Sequence, residues 1–144
     1  MIQMKNVTEV YDSSGTVALD DVDLRIDEGE FVFLVGPCGC GKTTLMKLIT
    51  GELRPTKGSV IVNDFDMTRI RRRNLPKMRR TLGVIFQDYR LIDNMTVYDN
   101  VAFAMRVVGA SSRAIRKRVP YVLELVGLQD CRDRLPEELS GGEQ

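Results

Sequence analysis

An α/β fold is predicted for this chain of 144 residues, and three observations carry the prediction. First, Phe31, Val32, Phe33, Leu34 and Val35 run without a break into a glycine-rich turn, after which Leu45, Leu48 and Ile49 fall at helical spacing. A strand with no polar face is one buried on both sides of a parallel sheet. Second, Val22, Leu24 and Ile26 alternate with Asp23, Arg25 and Asp27, the mark of a strand with one wet face. Third, the last third of the chain turns helical. Val97, Val101, Ala104, Met105 and Val108 repeat every three to four residues, and so do Ile115, Val119, Val122, Leu123 and Val126.

The glycine-rich turn carries the chemistry. Gly36, Pro37, Cys38, Gly39, Cys40, Gly41, Lys42 and Thr43 match G-x-x-x-x-G-K-[ST], here in its required setting between a strand and a helix. Phosphate oxygens need to be surrounded by backbone N–H groups, which glycines allow by accepting positive φ and leaving no side chain in the way. The helix that opens near Lys42 aims unpaired N–H groups at the anion. Lys42 adds a charge that reaches the β- and γ-phosphates, and the Thr43 hydroxyl is placed to ligate Mg²⁺. Thr44 closes the nucleotide-binding stretch 36–44.

Composition sets the bounds. The length suits one domain, 43% apolar residues suffice for a core, and a net charge of +1 gives no global pull towards nucleic acid or membrane. No apolar run approaches the roughly 20 residues needed to span a bilayer, and the first residues hold no signal-peptide core. Three cysteines, two of them inside the glycine-rich turn, argue against a disulfide framework and for a reducing cytosol. The sequence has no histidine, so no His base or ligand is available within it.

Along the chain, Ile2, Met4 and, less cleanly, Val7 suggest a first strand. A turn follows at Asp12, Ser13, Ser14 and Gly15. The helix from Lys42 is expected to stop at Gly51, and residues 59–62 to form a short strand. Residues 69–80 hold seven Lys or Arg. They read either as a solvated helix face or as a surface for an anionic partner; no aromatic residues are interleaved to stack on bases. Leu82, Val84, Ile85 and Phe86 read as another buried strand ending at Gln87. Ser111 or Ser112 can cap the second late helix. Pro120 lies inside that helix and predicts a kink or a break. Gly127 ends it, and Leu139, Ser140, Gly141, Gly142, Glu143 and Gln144 close the sequence.

The phosphate loop at 36–43, the strand-end Gln87 and the run LSGGEQ at 139–144, in this order and spacing, resemble the ATP-binding subunits of ABC transporters. Residues 28–37, 86–92 and 96–104 are most similar to the cell-division ATPases of that family; subunits of lipoprotein-releasing and antimicrobial-peptide exporters share much of the pattern. The resemblance implies a P-loop NTPase fold of the ABC ATPase type. It implies an antiparallel β subdomain from residues 1–30 and 59–64, an ATP-binding core from 31–58 and 81–87, and a helical subdomain from 88–144. Its implied ligands are ATP and Mg²⁺. Tyr11 matches the aromatic residue that stacks on adenine, a task suited to a flat π-face; read without the resemblance it is an ordinary tyrosine. Gln87 matches the glutamine that touches Mg²⁺ and the attacking water. Ser140, Gly141 and Gly142 match the signature that meets the γ-phosphate held by the opposite subunit. The implied partners are a second ATP-binding subunit and an integral membrane subunit, FtsX-like in the cell-division branch, with the chain on the inner face of the membrane and no nucleic acid bound.

Phosphoryl transfer of this kind also needs a carboxylate for the Mg²⁺ shell and a group to orient water. In the family these come from an apolar strand after the signature, with a switch histidine further on. Asp27 with Glu28 follows an alternating strand that precedes the phosphate loop, and Glu137 with Glu138 has no buried strand before it, so neither pair qualifies. The sequence is therefore expected to be the first part of an ABC ATPase, able to bind ATP without hydrolysing it. A nucleotide-binding fragment without turnover and a soluble ABC protein acting on nucleic acid are the other readings. Relatives usually carry Ser at Cys38 and Ala or Ser at Cys40. The pair is either tolerated as small residues or gives thiol control of the loop, with Cys40, two residues before Lys42, the reactive one.

Overall fold

The computed structural model describes residues 1–11 and 15–144, which form two compact units, Met1–Leu82 and Gly83–Gln144. The turn expected at Asp12, Ser13 and Ser14 lies outside the described residues.

The first unit is built on an antiparallel sheet. Strands β1 (Ile2–Tyr11), β2 (Thr16–Ile26), β3 (Lys57–Val62) and β4 (Phe65–Asp66) lie in the order β2-β1-β3-β4. Met4, Val7, Val60 and Val62 are fully buried and pack against Leu45, Leu48 and Ile49 of helix α1 (Lys42–Ile49), with Met67, Ile70 and Met78 completing the core. Met4 and Val7 are three apart, which a regular strand would put on opposite faces. A register shift between them restores both to the core. It is centred on Asn6, at φ 47°, whose N–H donates to Asp23 Oδ1 (2.8 Å) and whose amide donates to Asp21 Oδ1 (3.0 Å). This irregularity is why Val7 fits the alternation poorly in the sequence.

Gly58 faces the same irregularity. Its φ is +81°, and a Cβ there would strike the carbonyl oxygens of Asn6 and Lys5, the latter at 2.5 Å. Gly58→Ala is expected to destabilise the fold by at least the roughly 1–2 kcal/mol of a left-handed alanine. Thermal unfolding of the full-length protein, followed by circular dichroism, should show a midpoint several degrees lower. An unchanged midpoint would mean that β1 and β3 do not approach this closely.

The basic segment contains a short 3₁₀ turn, Arg72–Asn74, and helix α2 (Leu75–Arg79), with Met78 buried and all seven basic residues exposed. Arg79 has a defined task. Its guanidinium donates to the carbonyls of Thr50 (3.0 Å) and Gly51 (3.3 Å), the end of α1, where unpaired carbonyls favour a cation.

Two expected strands are absent. Residues 31–35 and 83–86 have no regular structure, with Phe31 84% and Ile85 100% exposed. A strand is made by its neighbours, and among the described residues no segment pairs with either stretch. The apolar character that predicts burial is still present, now facing outwards. Phe31 and Phe33 pack edge to face at 4.9 Å between ring centres.

The second unit holds helices α3 (Val97–Val107) and α4 (Ser112–Leu125). Thr96 Oγ1 caps α3 by accepting from the Asp99 N–H (3.2 Å), and Ser111 Oγ caps α4 by accepting from the Ala114 N–H (3.2 Å). The core consists of Val97, Ala102, Ile115, Val119, Leu123, Cys131 and Leu139. Ala104, Val108 and Val126 are exposed, so the buried stripe is narrower than the apolar pattern. Helix α4 runs through Pro120 without a break. The missing N–H costs one hydrogen bond, while Pro120 itself is exposed and its neighbours Val119 and Leu123 are anchored in the core.

Candidate nucleotide-binding site

The glycine-rich turn folds around its own lysine. The Lys42 ammonium donates to the carbonyls of Gly36 (2.7 Å) and Pro37 (2.6 Å) and lies 3.4 Å from Cys40 Sγ. All three donors of the ammonium are engaged, so the loop closes into a ring about one cation. Helix α1 begins inside this ring. Its N-cap is Gly41 at φ +89°, with no side-chain cap and no acidic residue in the first turn. A Cβ at Gly41 would come within 2.5 Å of the Ala18 carbonyl oxygen and 2.8 Å of Leu19 Cδ2. Strand β2 therefore backs the loop, a contact no spacing in the sequence signals. With neither cap nor acid, the first N–H groups of α1 and its dipole favour an anion.

Thr43 is exposed in the first turn of α1, whereas Thr44 is buried and its hydroxyl lies 3.1 Å from the Tyr11 hydroxyl. The end of β1 is thus tied to the start of α1, and Tyr11 and Thr44 are brought together. The loop residues Pro37, Cys38, Gly39 and Cys40 are exposed.

The remaining predicted site residues belong to the second unit. Gln87 is exposed, in a stretch without regular structure. Beside it, Tyr89 and Arg90 both take positive φ (54° and 52°), and the Arg90 guanidinium lies 3.9 Å from the centre of the Phe86 ring, close to Asp88 (3.3 Å). Two consecutive non-glycine residues in the left-handed region mark a sharp, defined turn.

In the signature, a single turn opens at Ser140, whose carbonyl accepts from the N–H groups of Glu143 (2.9 Å) and Gln144 (3.1 Å). Glu143 Oε2 accepts in return from Ser140 N (2.8 Å) and Ser140 Oγ (2.6 Å). The Ser140 hydroxyl, followed by its backbone N–H, holds the Glu143 carboxyl below its ordinary range. Gly141 faces Tyr89, whose hydroxyl would lie 3.2 Å from a Cβ there, and Gly142 has open space around it. Glu143 and Tyr89 are the site neighbours that sequence reasoning missed. For Glu143 the signal was present, since Ser140 and Glu143 stand at capping-box spacing. Nothing local points from Tyr89 to Gly141.

The ABC transporter family model matches residues 19–144. The chain belongs to the ABC transporter family. It is 52% identical, over its whole length, to the cell division ATP-binding protein FtsE of Mycobacterium tuberculosis, 45% to that of Bacillus subtilis and 44% to that of Escherichia coli K12. It spans 63%, 63% and 64% of their lengths. Among solved structures it is similar to the ATP-binding cassette MJ0796, in a dimeric post-hydrolysis state bound to ADP and Pi. That match has a TM-score of 0.88 and 33% identity over 99% of this chain and 65% of the other. A second dimeric structure of MJ0796 gives 0.89 and 34%, over the same shares of the two chains. The fold is thus the α/β P-loop arrangement of the ABC ATPases, the class expected from the sequence.

Proposed function

We propose that this chain is the ATP-binding portion of an ABC-type ATPase that drives a membrane complex in cell division. The observation that carries the reading is the loop closed on Lys42 at the uncapped start of α1. In this reading Lys42 exchanges its two carbonyl partners for the β- and γ-phosphates of ATP. The N–H groups of residues 39–44 cradle the same oxygens. The exposed Thr43 hydroxyl is a hard oxygen donor that would help to hold Mg²⁺ beside the phosphates. Tyr11, held by Thr44 at the loop, supplies the face for adenine.

Gln87, in the second unit, would orient the attacking water with its side-chain amide. Ser140, Gly141 and Gly142 serve the nucleotide held by a second copy of the chain, with Glu143 fixing the Ser140 hydroxyl until then. The proposed division of labour assigns residues 1–30 and 59–64 to an antiparallel β subdomain, 31–58 and 81–87 to the nucleotide core, and 88–144 to a helical subdomain. The whole protein would sit in the cytoplasm on the inner face of the membrane, as a dimer bound to an FtsX-like membrane subunit, and would not bind nucleic acid. Relatives named for cell division, at 44–52% identity over the whole chain, favour this reading over that of a lipoprotein or antimicrobial-peptide exporter.

The turn at residues 88–97 is the proposed docking point for the membrane subunit, since it follows Gln87 and precedes the helices. Charge reversal, Arg90→Glu, is expected to weaken co-purification with the FtsX-like partner while leaving ATP affinity in place. Undiminished co-purification of the variant would contradict this placement.

A further inference from the structure

We propose that the basic segment 69–80 is a docking surface for the anionic phospholipid headgroups of a membrane. The inference goes beyond the function proposed above, in which the chain reaches the membrane through a protein subunit, and rests on that reading for the location alone. Residues 69–80 hold seven of the chain's 21 basic side chains and none of its 20 acidic ones. All seven are exposed. Arg79 has a structural task at the carbonyls that end α1. The side chains of Arg69, Arg71, Arg72, Arg73, Lys77 and Arg80 have no partner among the described residues, whose ion pairs join Arg25 to Asp27, Arg90 to Asp88 and Arg132 to Asp133. The backbone beneath them is held in place. Ile70 and Met78 are buried in the core of the first unit. The Arg54 guanidinium donates to the Ile70 carbonyl (2.6 Å) and the Thr81 hydroxyl to the Met78 carbonyl (2.7 Å).

A face that only has to stay wet mixes both signs of charge. Here Arg73 and Lys77 stand four residues apart and Lys77 and Arg80 three, so like charges repel with no acid between them. A layer of phosphates relieves that repulsion. Six of the seven cations are Arg, whose planar fork matches phosphate oxygens better than an ammonium does. The apolar side chains Ile70, Leu75 and Met78 pack on the core, so they are not free to insert among acyl chains. The contact is therefore with headgroups, and salt screens it. Nucleic acid carries the same phosphates. The segment, however, has no aromatic side chain to stack on a base, and a helix of five residues is too short to fill a major groove.

The test floats full-length protein, without any membrane subunit, on vesicles of phosphatidylcholine alone or of equal parts phosphatidylcholine and phosphatidylglycerol. Binding is expected to the anionic vesicles only, and to be lost as salt is raised. Arg71→Gln, Arg72→Gln and Arg73→Gln together should weaken it by at least about tenfold, with the unfolding midpoint unchanged. Arg71→Lys, Arg72→Lys and Arg73→Lys together should keep most of it. If the glutamine variant does not fold, Lys77→Gln with Arg80→Gln takes its place, with the same expectation. Inorganic phosphate at the concentration of the lipid phosphate should release nothing, because one phosphate cannot replace a surface of them. Equal binding to both kinds of vesicle, no binding to the anionic ones at low salt, or full binding by the glutamine variant would each overturn the proposal. So would equal losses in the lysine and glutamine variants, release by phosphate, or tighter binding of an RNA or DNA oligonucleotide than of vesicles. Protein that binds ATP but no anionic vesicle defeats this inference alone, and protein that binds vesicles but no ATP defeats only the reading of the loop.

Discussion

Lys42→Ala, made in the full-length protein, is expected to remove ATP turnover and weaken ATP binding by about ten- to 150-fold. That range follows from the roughly 1.5–3 kcal/mol carried by a charge-assisted hydrogen bond, at about 1.4 kcal/mol per factor of ten. The ammonium is already desolvated in part by the Gly36 and Pro37 carbonyls, 2.7 and 2.6 Å away, and is held within the loop before any ligand arrives. The same two bonds link the ends of the loop, so the alanine variant also loosens it. Titration calorimetry separates affinity from stability when paired with thermal unfolding. An unchanged affinity for ATP would show that the loop is not the site.

A polypeptide of these 144 residues is expected to release no phosphate from ATP above background. Water attack at the γ-phosphate needs an orienting carboxylate at the end of a buried strand, and neither Asp27 with Glu28 nor Glu137 with Glu138 follows one. Such a polypeptide is also expected to be loosely packed or to aggregate. Phe31, Phe33 and Val35 are 84%, 77% and 84% exposed and Ile85 is fully so, with backbone groups that no strand of the described residues pairs. Phosphate release and heat unfolding on purified material check both points. Steady turnover that Lys42→Ala abolishes would contradict the first.

The parts of the fold that are legible in the sequence are those whose partners lie nearby. The alternation of Val22, Leu24 and Ile26, the helix from Lys42 and the cap at Ser111 are each set by a few local residues, and each is found where expected. The apolar residues 31–35 mislead because their pattern specifies a buried environment, whereas a strand also needs a hydrogen-bonding neighbour. Pro120 misleads in the other direction. Its local cost is real, but Val119 and Leu123 anchor the helix on both sides of it. Within the site, the loop is legible because phosphate chemistry dictates its residue types. The packing of Gly41 on Ala18 and Leu19, the Tyr11–Thr44 contact and the placing of Tyr89 against Gly141 depend on segments distant in sequence. No local spacing encodes such approaches. The Lys42–Cys40 contact falls between these cases, since two residues suffice to suggest it but only the closed ring puts the sulfur beside the ammonium.

The most direct measurement is a crystal structure of the full-length protein with Mg²⁺ and a non-hydrolysable ATP analogue. The account predicts the β- and γ-phosphates within hydrogen-bond reach of the N–H groups of residues 39–44. Lys42 Nζ should have turned from the Gly36 and Pro37 carbonyls to the phosphate oxygens, with Thr43 Oγ1 on the metal and the adenine ring against Tyr11. Nucleotide bound elsewhere, or Lys42 still held by its two carbonyls with nucleotide in the loop, would contradict it.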